Sequence, residues 1–462
     1  MSSIDTANIA NNFSEAVTAW RAAEPRVSGD FARDRETFSE FWQKSRQIIE
    51  VLPPKSERNE AQTLVAGELH RVARQSREQF LRRHIEAVYS ELTRNFSEFV
   101  RVERLVGAAA DAFPGLVPSA QQIAAEANTL QGHKEGLEIE QGIFLAQVLG
   151  HGRAGRHLVH AMLLPRVESD EHLRRFQRDG ILDVGAARLE RRGGSVHLIA
   201  SNPRFLNAED QTTIDNMEIA VDVAILDNAS NIAVLRGTAV EHPKYQGRRL
   251  LGSGINLTHL YQGKIPFVWF IQRELGFVHK FLRGVASPDV FPDDVHGTAT
   301  EKAWIAAIDG FAIGGHCQIL LTMDFVVAAS DAFMTLPARK EGIIPGVSNL
   351  RLPRFTGDRI ARQAIQYERR LDCDSPEGRL ICDEIAPPQD MDAAIDRVVS
   401  RLTSSGAVGA IANRRAFRIG EEPIDLFREY MAVYAREQAY CHFSPALIAN
   451  LEQYWNAQNR KG

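Results

Sequence analysis

The sequence of 462 residues has few cysteines, and no two of them have the CxxC spacing. The four thiols belong to Cys317, Cys373, Cys382 and Cys441. They are too few for a disulfide framework in a chain of this length, so we expect buried, free thiols. Basic charge is not in excess either, because the formal net charge is −5. A nucleic-acid partner is therefore disfavoured, since phosphate backbones require clusters of cationic side chains.

Long apolar runs are missing as well. Stretches such as IPFVWFI are far too short to span a bilayer, and the N-terminus is polar, without a basic stretch followed by an apolar one. We therefore expect a soluble, cytoplasmic protein that has no membrane partner. The composition, with 44% hydrophobic and 24% charged residues, is that of a globular protein.

The spacing of apolar residues divides the chain into three parts. Helical periodicity predicts an all-helical N-terminal domain over residues 1–178, in which residues 81–102 form one amphipathic helix. In residues 179–356 strands alternate with helices, starting with a hairpin at residues 191–194, which predicts an α/β core with parallel strand pairing. Residues 357–462 are predicted to form a C-terminal helical region.

Two glycine-rich turns lie in the predicted core, LLGSGINL at residues 250–257 and AIDGFAIGGHCQILL at residues 307–321. In the second, a buried strand leads through Gly314 and Gly315 into a helix that starts near His316. Glycine lets the backbone approach a ligand closely, and a helix start presents unpaired N–H groups and the positive end of the helix dipole. Such a turn can hold an anionic oxygen. Taken alone, however, such a turn is weak evidence, because glycines at strand-to-helix corners usually serve packing.

Four segments resemble, in the same order, motifs of the crotonase (enoyl-CoA hydratase/isomerase) superfamily. They are IASNPRFLNAED, SGINL, AIDGFAIGGHCQILLTMDFVVAA and LPARKEGIIPGVSNLRLPRFTGDRIA, which lie within residues 182–400. The resemblance implies an α/β fold, a crotonase-like ββα superhelix that here follows an all-helical N-terminal domain and ends in a helical trimerisation region. It also implies a coenzyme A thioester as substrate and a homotrimer or homohexamer.

The same resemblance assigns the two glycine turns. It implies that the backbone N–H groups of Ile255 and Gly315 form an oxyanion hole, with Gly254 and Gly314 shaping the turns and binding substrate. Two such donors stabilise a thioester oxygen as it becomes an enolate, and the loss of one typically costs ~10²–10³ in rate. Side-chain identity at these positions matters less than backbone geometry.

Further binding residues are implied by the resemblance. Arg204, His242 and Lys244 are expected beside the CoA phosphates or adenine, although a solvated surface charge is an equal alternative for His242 and Lys244. The walls of an aryl pocket are expected at Ile344, Pro345 and Gly346.

The sequence departs from hydratases at two positions. Hydratases use two glutamates to add water, and this chain has Gln318 and Ala338 in their place. Neither an amide nor a methyl group exchanges a proton near pH 7. Hydration of a double bond is therefore disfavoured, while the frame that binds the thioester is kept.

The N-terminal extension, the HPKY loop, the GHCQ turn and the helix FVWFIQRELGFVHKFLRG resemble a branch of cofactor-independent dioxygenases within the superfamily. This resemblance implies conversion of 3,5-dihydroxyphenylacetyl-CoA and O2 to 3,5-dihydroxyphenylglyoxylate and CoA, without metal, flavin or haem. It also implies a place in the supply of dihydroxyphenylglycine for antibiotic biosynthesis. An acyl-CoA isomerase, a thioester hydrolase and a non-catalytic acyl-CoA-binding trimer are the alternatives.

Three polar side chains are expected at the acyl end of the site. Arg273 lies in a largely apolar helix and needs a partner there, either a ring hydroxyl or phenolate of the substrate or a glutamate of the chain. Gln318 is expected near the reacting carbon or the peroxide, or else as a structural amide. Glu209 is expected on the second ring hydroxyl, or else as a charge at a helix start.

Candidate cofactor motifs are weak. His133 and Glu135 form an HxE pair, but the surrounding GHKEGLEIEQG is typical of an exposed helix start. The segment GHGRAG matches GxGxxG after a helical pattern rather than after a strand, which indicates a turn between helices. We therefore predict no metal and no cofactor.

Overall fold

The computed structural model describes residues 13–460 except residues 14, 246, 290–293, 298 and 405–406. Helices come first along the chain, as predicted, and residues 1–12 of the predicted N-terminal domain and 461–462 of the C-terminal region lie outside the described residues. The helices before the first strand are α1 (Phe31–Glu50), α2 (Glu60–Leu92), α3 (Val102–Ala112), α4 (Ala120–Ala125), α5 (Ile139–Gly150), α6 (Gly152–Leu163) and α7 (Ser169–Asp179).

The prediction of one helix over residues 81–102 is wrong. Helix α2 ends at Leu92, and Arg94, Asn95 and Phe96 have φ angles of 46°, 57° and 63°. Successive left-handed residues cannot continue a right-handed helix. Phe96 and Phe99 keep helical spacing in the sequence, but they belong to a connecting segment, and their rings contact His157 of α6. Val102 begins α3.

The strands form one large sheet and two small ones. They are β1 (Ile181–Asp183), β2 (Ala187–Arg192), β3 (Ser195–Ala200), β4 (Ile232–Gly237), β5 (Val285–Ala286), β6 (Ala299–Thr300), β7 (Ala303–Ile308), β8 (Phe311–Ile313), β9 (Phe325–Ala329), β10 (Phe333–Thr335), β11 (Leu371–Asp372) and β12 (Glu384–Ala386). The large sheet has the order β1-β2-β3-β4-β7-β9-β12. Strands β8, β10 and β11 form the second sheet, and β5 pairs with β6.

The predicted hairpin and the predicted parallel pairing are both present. Strand β2 runs antiparallel to β3 with Arg192 opposite Ser195, while β3, β4, β7, β9 and β12 pair in parallel. The parallel strands are nearly continuous apolar runs, such as IAVLRG and AWIAAI, because both faces of a parallel sheet are covered. Their carboxyl ends meet at one edge, where Ala200 pairs with Gly237. The loops that leave this edge carry the glycine turns.

The remaining helices lie between successive strands along the chain or after the last strand. They are α8 (Ile214–Leu226), α9 (Leu257–Tyr261), α10 (Phe267–Leu275), α11 (Phe277–Arg283), α12 (Gly315–Leu320), α13 (Ala338–Glu341), α14 (Ser348–Tyr367), α15 (Met391–Thr403), α16 (Ala407–Glu421), α17 (Ile424–His442) and α18 (Pro445–Trp455). Helix α17 packs along α5 of the N-terminal region. None of the described helices is long and apolar enough to cross a membrane.

The described residues of 357–462 form a mostly helical region, as predicted, but two short strands that were not predicted interrupt it. Strand β11 pairs antiparallel with β10, and β12 joins the edge of the large sheet beside β9. Strands this short are specified by the partner that they pair with, and their own sequence carries little signal. The division of the chain into three domains at residues 178 and 356 stays a prediction.

Candidate active site

The two glycine turns lie against each other. Ile313 donates its N–H to the carbonyl oxygen of Gly252 at 3.0 Å, and this bond ties the end of β8 to the first turn. A Cβ atom on Gly254 would lie 3.2 Å from the backbone nitrogen of Gly315. Gly254 and Gly314 have φ angles of +82° and +54°, which side chains rarely tolerate. Glycine at both positions therefore makes the close approach possible.

The backbone N–H groups of Ile255 and Gly315 are free at this contact. Within the described residues, neither group donates a hydrogen bond to the protein. Gly315 is the first residue of α12, where helix geometry leaves N–H groups without a partner. Both residues line the same small chamber. Two such donors can hold an oxygen atom that gains negative charge.

This inner chamber is enclosed by residues from four helices, α10, α12, α13 and α17, and from loops. Its volume is about 20 Å³, which is room for one water molecule and not for an aromatic ring. An aryl group therefore enters only if side chains move. The inner chamber is lined by Glu209, Ile255, Trp269, Phe270, Arg273, Glu274, Gly315, Gln318, Glu341, Ile343, Ile344, Gly346 and Tyr434.

Arg273 donates hydrogen bonds to several polar groups of the inner chamber. Its Nε and Nη2 donate to the carboxylate of Glu209 at 2.9 and 3.2 Å, and Nη1 donates to Glu274 and, at 2.9 Å, to Oε1 of Gln318. Nη2 also donates to the carbonyl oxygen of Gly315 at 2.8 Å. Burial alone would lower the pKa of Arg273, but the carboxylates of Glu209 and Glu274 raise it above its ordinary value. The guanidinium therefore carries a permanent charge beside the second glycine turn.

The structure also shows where the other residues predicted for the acyl end of the site lie. Of the two partners expected for Arg273, the structure contains the ion pair with glutamate, and contact with a substrate hydroxyl stays a prediction. Gln318 uses Oε1 to accept from Arg273. A Cβ atom on Gly346 would lie 2.5 Å from Oε1 of both Gln318 and Glu274, so glycine is required at this wall. Ile344 lines the inner chamber, whereas Pro345 is buried behind it.

A larger outer cavity of about 630 Å³ opens beside the inner chamber. Its walls carry cations and aromatic rings, a combination that suits phosphates and a nucleobase. Ile255 and Glu341 line both spaces, so the first glycine turn lies where the outer cavity meets the inner chamber. Residues that line the outer cavity include Arg204, Phe205, His242, Tyr245, Ile255, Pro337, Lys340, Glu341, Tyr454, Trp455 and Arg460.

The predicted CoA-binding residues differ in their positions. Arg204 and His242 line the outer cavity. Lys244 is exposed, its Nζ lies 5.2 Å from the centre of the Tyr245 ring, and it is not among the described residues that line the cavity. Its role in CoA binding stays a prediction.

Sequence analysis missed several residues of the two spaces. Lys340 and Arg460 add cations to the outer cavity, and the guanidinium of Arg460 lies 3.8 Å from the centre of the Trp455 ring. Glu274 and Glu341 add buried carboxyl groups to the inner chamber. One signal was available, because Glu341 follows Ala338 by one helical turn and so brings a carboxylate close to a position that hydratases fill with glutamate.

Of the HxE pair, His133 is exposed, as expected, whereas Glu135 is half-buried and forms ion pairs. Glu135 accepts hydrogen bonds from Arg58 at 2.8 Å through each of its oxygens and contacts His70 at 2.8 Å. Within the part of the chain that the structure describes, no three His, Cys, Asp or Glu side chains come together in a group that suits a metal ion. Whether catalysis is free of metal stays a prediction.

Comparison with known proteins places this chain in a family. The sequence profile of enoyl-CoA hydratase/isomerase matches residues 288–417. The chain belongs to the crotonase (enoyl-CoA hydratase/isomerase) superfamily, and the predicted crotonase fold with helices before and after it is confirmed. A role of the C-terminal helices in trimerisation stays a prediction. It is 44% identical over 416 residues to the (3,5-dihydroxyphenyl)acetyl-CoA 1,2-dioxygenase of Amycolatopsis orientalis, which covers 90% of this chain and 94% of that protein.

More distant relatives match shorter parts. A crotonyl-CoA hydratase of Syntrophomonas wolfei is 30% identical over 123 residues, which is 26% of this chain and 47% of that protein. The crystal structure of a carnitinyl-CoA hydratase from Mycobacterium avium superposes with a TM-score of 0.48 and 19% identity, covering 59% of this chain and 97% of that one. Because it covers 90% of the chain, the match to the dioxygenase includes most of the N-terminal helices.

Proposed function

We propose that the protein is a dioxygenase that converts 3,5-dihydroxyphenylacetyl-CoA and O2 to 3,5-dihydroxyphenylglyoxylate and CoA. The observation that carries this proposal is the 44% identity, over 90% of the chain, to a relative with that name. Gln318 and Ala338, which stand where hydratases have glutamates, support it because they leave hydration without its proton-transfer groups.

The CoA part of the substrate would occupy the outer cavity. Arg204, Lys340 and Arg460 offer positive charge for its phosphates, and the His242 ring lies in the same wall. The thioester oxygen would then lie at the N–H groups of Ile255 and Gly315, which make no hydrogen bond to the described part of the protein. These donors would stabilise the enolate that forms when the α-proton leaves.

The aryl group would enter the inner chamber. Because the inner chamber holds no more than about one water molecule, the ring must displace side chains that now fill it. Glu209, Arg273 and Gln318 form the polar network that meets it, and hydroxyl groups of the ring can take over some of their hydrogen bonds. Ile344 and Gly346 would form the apolar wall.

The reaction needs only the substrate and O2. The α-carbon is acidified both by the thioester and by the ring, so its carbanion is accessible and can transfer an electron to O2. The carbon radical and the superoxide then combine to a peroxide at the α-carbon, and its outer oxygen attacks the thioester carbon and expels CoA as a thiolate. The O–O bond breaks as the second α-proton leaves to a base, and the electron pair of that C–H bond forms the ketone. One oxygen atom ends in the ketone and the other in the carboxylate, and we propose that no metal, flavin or haem takes part.

The test is oxygen consumption by chelator-treated protein given 3,5-dihydroxyphenylacetyl-CoA. We expect one O2 consumed for each CoA released, and both atoms of 18O2 recovered in the glyoxylate. A strict requirement for added iron would contradict the cofactor-free reaction. Release of CoA without O2 would favour a thioester hydrolase, anaerobic conversion of the acyl group would favour an isomerase, and no turnover of any arylacetyl-CoA would favour a non-catalytic acyl-CoA-binding trimer.

We also propose that the protein assembles into a homotrimer or homohexamer. Helix α16 supports this, because Val408 and Ile419 lie eleven residues apart and therefore on the same face of the helix, and they expose 86% and 50% of their surface in the single chain. Exposed apolar groups that share one face are typical of contact surfaces. Light scattering on the purified protein measures the assembly directly, and a monomeric mass would contradict it.

A further inference from the structure

Glu341 is a buried carboxyl group at the junction of the inner chamber and the outer cavity. It ends α13 and exposes only 8% of its surface. Within the described residues, its carboxylate makes no hydrogen bond and no ion pair, although it lines both spaces. A buried carboxyl group without a partner is costly, and in an enzyme such a cost indicates a functional role.

The position of Glu341 relative to the glycine turns follows from two observations. Its Oε1 would lie 3.8 Å from a Cβ atom placed on Gly314, the residue before the N–H group of Gly315. Ile255, which carries the other free N–H group, is the second residue common to both spaces. A thioester whose oxygen lies at these two N–H groups therefore has its carbonyl carbon and the neighbouring α-carbon beside Glu341.

The other carboxylates of the inner chamber are engaged differently. Glu209 accepts two hydrogen bonds from Arg273, and Glu274 accepts one from the same guanidinium. Within the described residues, neither Glu209 nor Glu274 lines the outer cavity. Both lie on the side where the ring is expected, whereas Glu341 lies on the side where the thioester enters.

We propose that Glu341 is the catalytic base that removes the α-proton of the arylacetyl thioester. This inference rests on the proposed function. In the step, a carboxylate oxygen of Glu341 forms a bond to the proton, the α C–H bond breaks, and its electron pair passes into the enolate whose oxygen the N–H groups of Ile255 and Gly315 hold. Glu341 is then a neutral carboxylic acid, and the departing CoA thiolate can take this proton later in the reaction. The restored carboxylate can then accept the second α-proton, which leaves when the O–O bond breaks and the ketone forms.

The electrostatics of the site agree with this role. Burial, and to a lesser degree the charge of Glu368, raise the pKa of Glu341 to about 7. A base whose pKa lies near the working pH combines a useful ionised fraction with a strong affinity for the proton. Charged groups also face Glu341 across the inner chamber, namely Glu209, Arg273 and Glu274. Across the outer cavity the facing groups are Arg204, His242, Lys340 and Arg460.

The test uses substrate with deuterium on the α-carbon and excludes O2. Loss of deuterium to water, followed by mass spectrometry, measures proton removal without the oxygenation step. We expect wild-type protein to exchange the label and Glu341→Gln to exchange it at least 100-fold more slowly, while binding of the substrate, measured by calorimetry, changes less than threefold. Glu341→Asp should recover part of the exchange, because a carboxylate remains.

The dependence on pH provides a second readout. Exchange by the wild type should rise with pH through about 7, as Glu341 ionises. Glu368→Gln removes the neighbouring negative charge, so this rise should move to lower pH while the maximal rate stays the same. A structural role for Glu341 would not produce this shift.

The outcomes separate the inference from the proposed function. If Glu341→Gln exchanges the label at the rate of the wild type, Glu341 is not the base, whatever the result with oxygen. If the wild type exchanges the label but consumes no O2, the base assignment stands and the proposed function fails. A wild-type protein that neither exchanges the label nor consumes O2 overturns both.

Discussion

The imidazole of His316 connects the two glycine turns. Its Nδ1 accepts a hydrogen bond from the backbone N–H of Gly254 at 3.2 Å, so the start of α12 holds the first turn in place. A Cβ atom on Gly252 would overlap the ring, so glycine is needed there for the contact. Burial lowers the pKa of His316, which keeps the ring neutral and Nδ1 free to accept. His316 is thus a positioning residue for the N–H group of Ile255.

We expect His316→Ala to lower kcat by about 10- to 100-fold, because the first turn loses its anchor and one oxyanion donor is misplaced. The KM for the CoA thioester should change little, since His316 is not among the described residues that line the outer cavity. His316→Asn should recover most of the activity, because its side-chain oxygen can accept the same hydrogen bond. Steady-state kinetics of the three proteins measure the effect, and equal kcat values would contradict the positioning role.

Gly315→Ala tests the second donor. The added Cβ would overlap the carboxylate of Glu209 and lie 2.8 Å from Nη2 of Arg273, so the second turn has to shift. We expect kcat to fall by about 10²–10³, as when one oxyanion donor is removed. Gly152→Ala is the matched control, because a Cβ there meets no atom of the described residues within 4 Å. An active Gly315→Ala variant would contradict the assignment.

Arg204→Ala tests the binding of CoA in the outer cavity. Loss of one charge-assisted hydrogen bond to a phosphate should raise KM about tenfold with little effect on kcat. Lys244→Ala should have a smaller effect, because Lys244 is exposed and stands outside the described walls of the cavity. Arg362→Ala, on the exposed side of α14, is a control for the loss of charge. Equal KM values for the Arg204 and Lys244 variants would contradict this account of the cavity.

His442 predicts a dependence of stability on pH. Burial, and next to it the charge of Lys134, lower its pKa in the folded protein to about 3. The unfolded chain takes up this proton near pH 6.5, so the contribution to stability is complete above that pH and declines as the pH falls towards 3. The decline is about 1.4 kcal/mol per pH unit for one such group.

We therefore expect the melting temperature of the wild type to fall between pH 7 and pH 5, and the fall to be smaller in His442→Gln. Differential scanning fluorimetry at both pH values measures the difference. A fall of the same size in both proteins would show that the pKa of His442 does not differ between the folded and unfolded states as expected.

The sequence alone determined the frame of the site. Both turns could be found in the sequence because the backbone at residues 254 and 314 is left-handed. Glycine adopts this conformation far more readily than other residues, so the turns are marked by their glycines. Parallel strands were visible for a similar reason, since burial on both faces leaves apolar runs such as β4 and β7. The positions of Ile255 and Gly315 followed from these turns and from the family motifs.

The tertiary structure alone decided which side chains surround that frame. Arg460 reaches the outer cavity from near the end of the chain, and Glu341 lies between the two spaces because α13 packs beside both. The tertiary structure also decided that Arg273 pairs with Glu209, that β11 pairs with β10 and that β12 pairs with β9. Such contacts join residues that are far apart in the chain, and their free energy depends on burial and on the partner rather than on the local sequence.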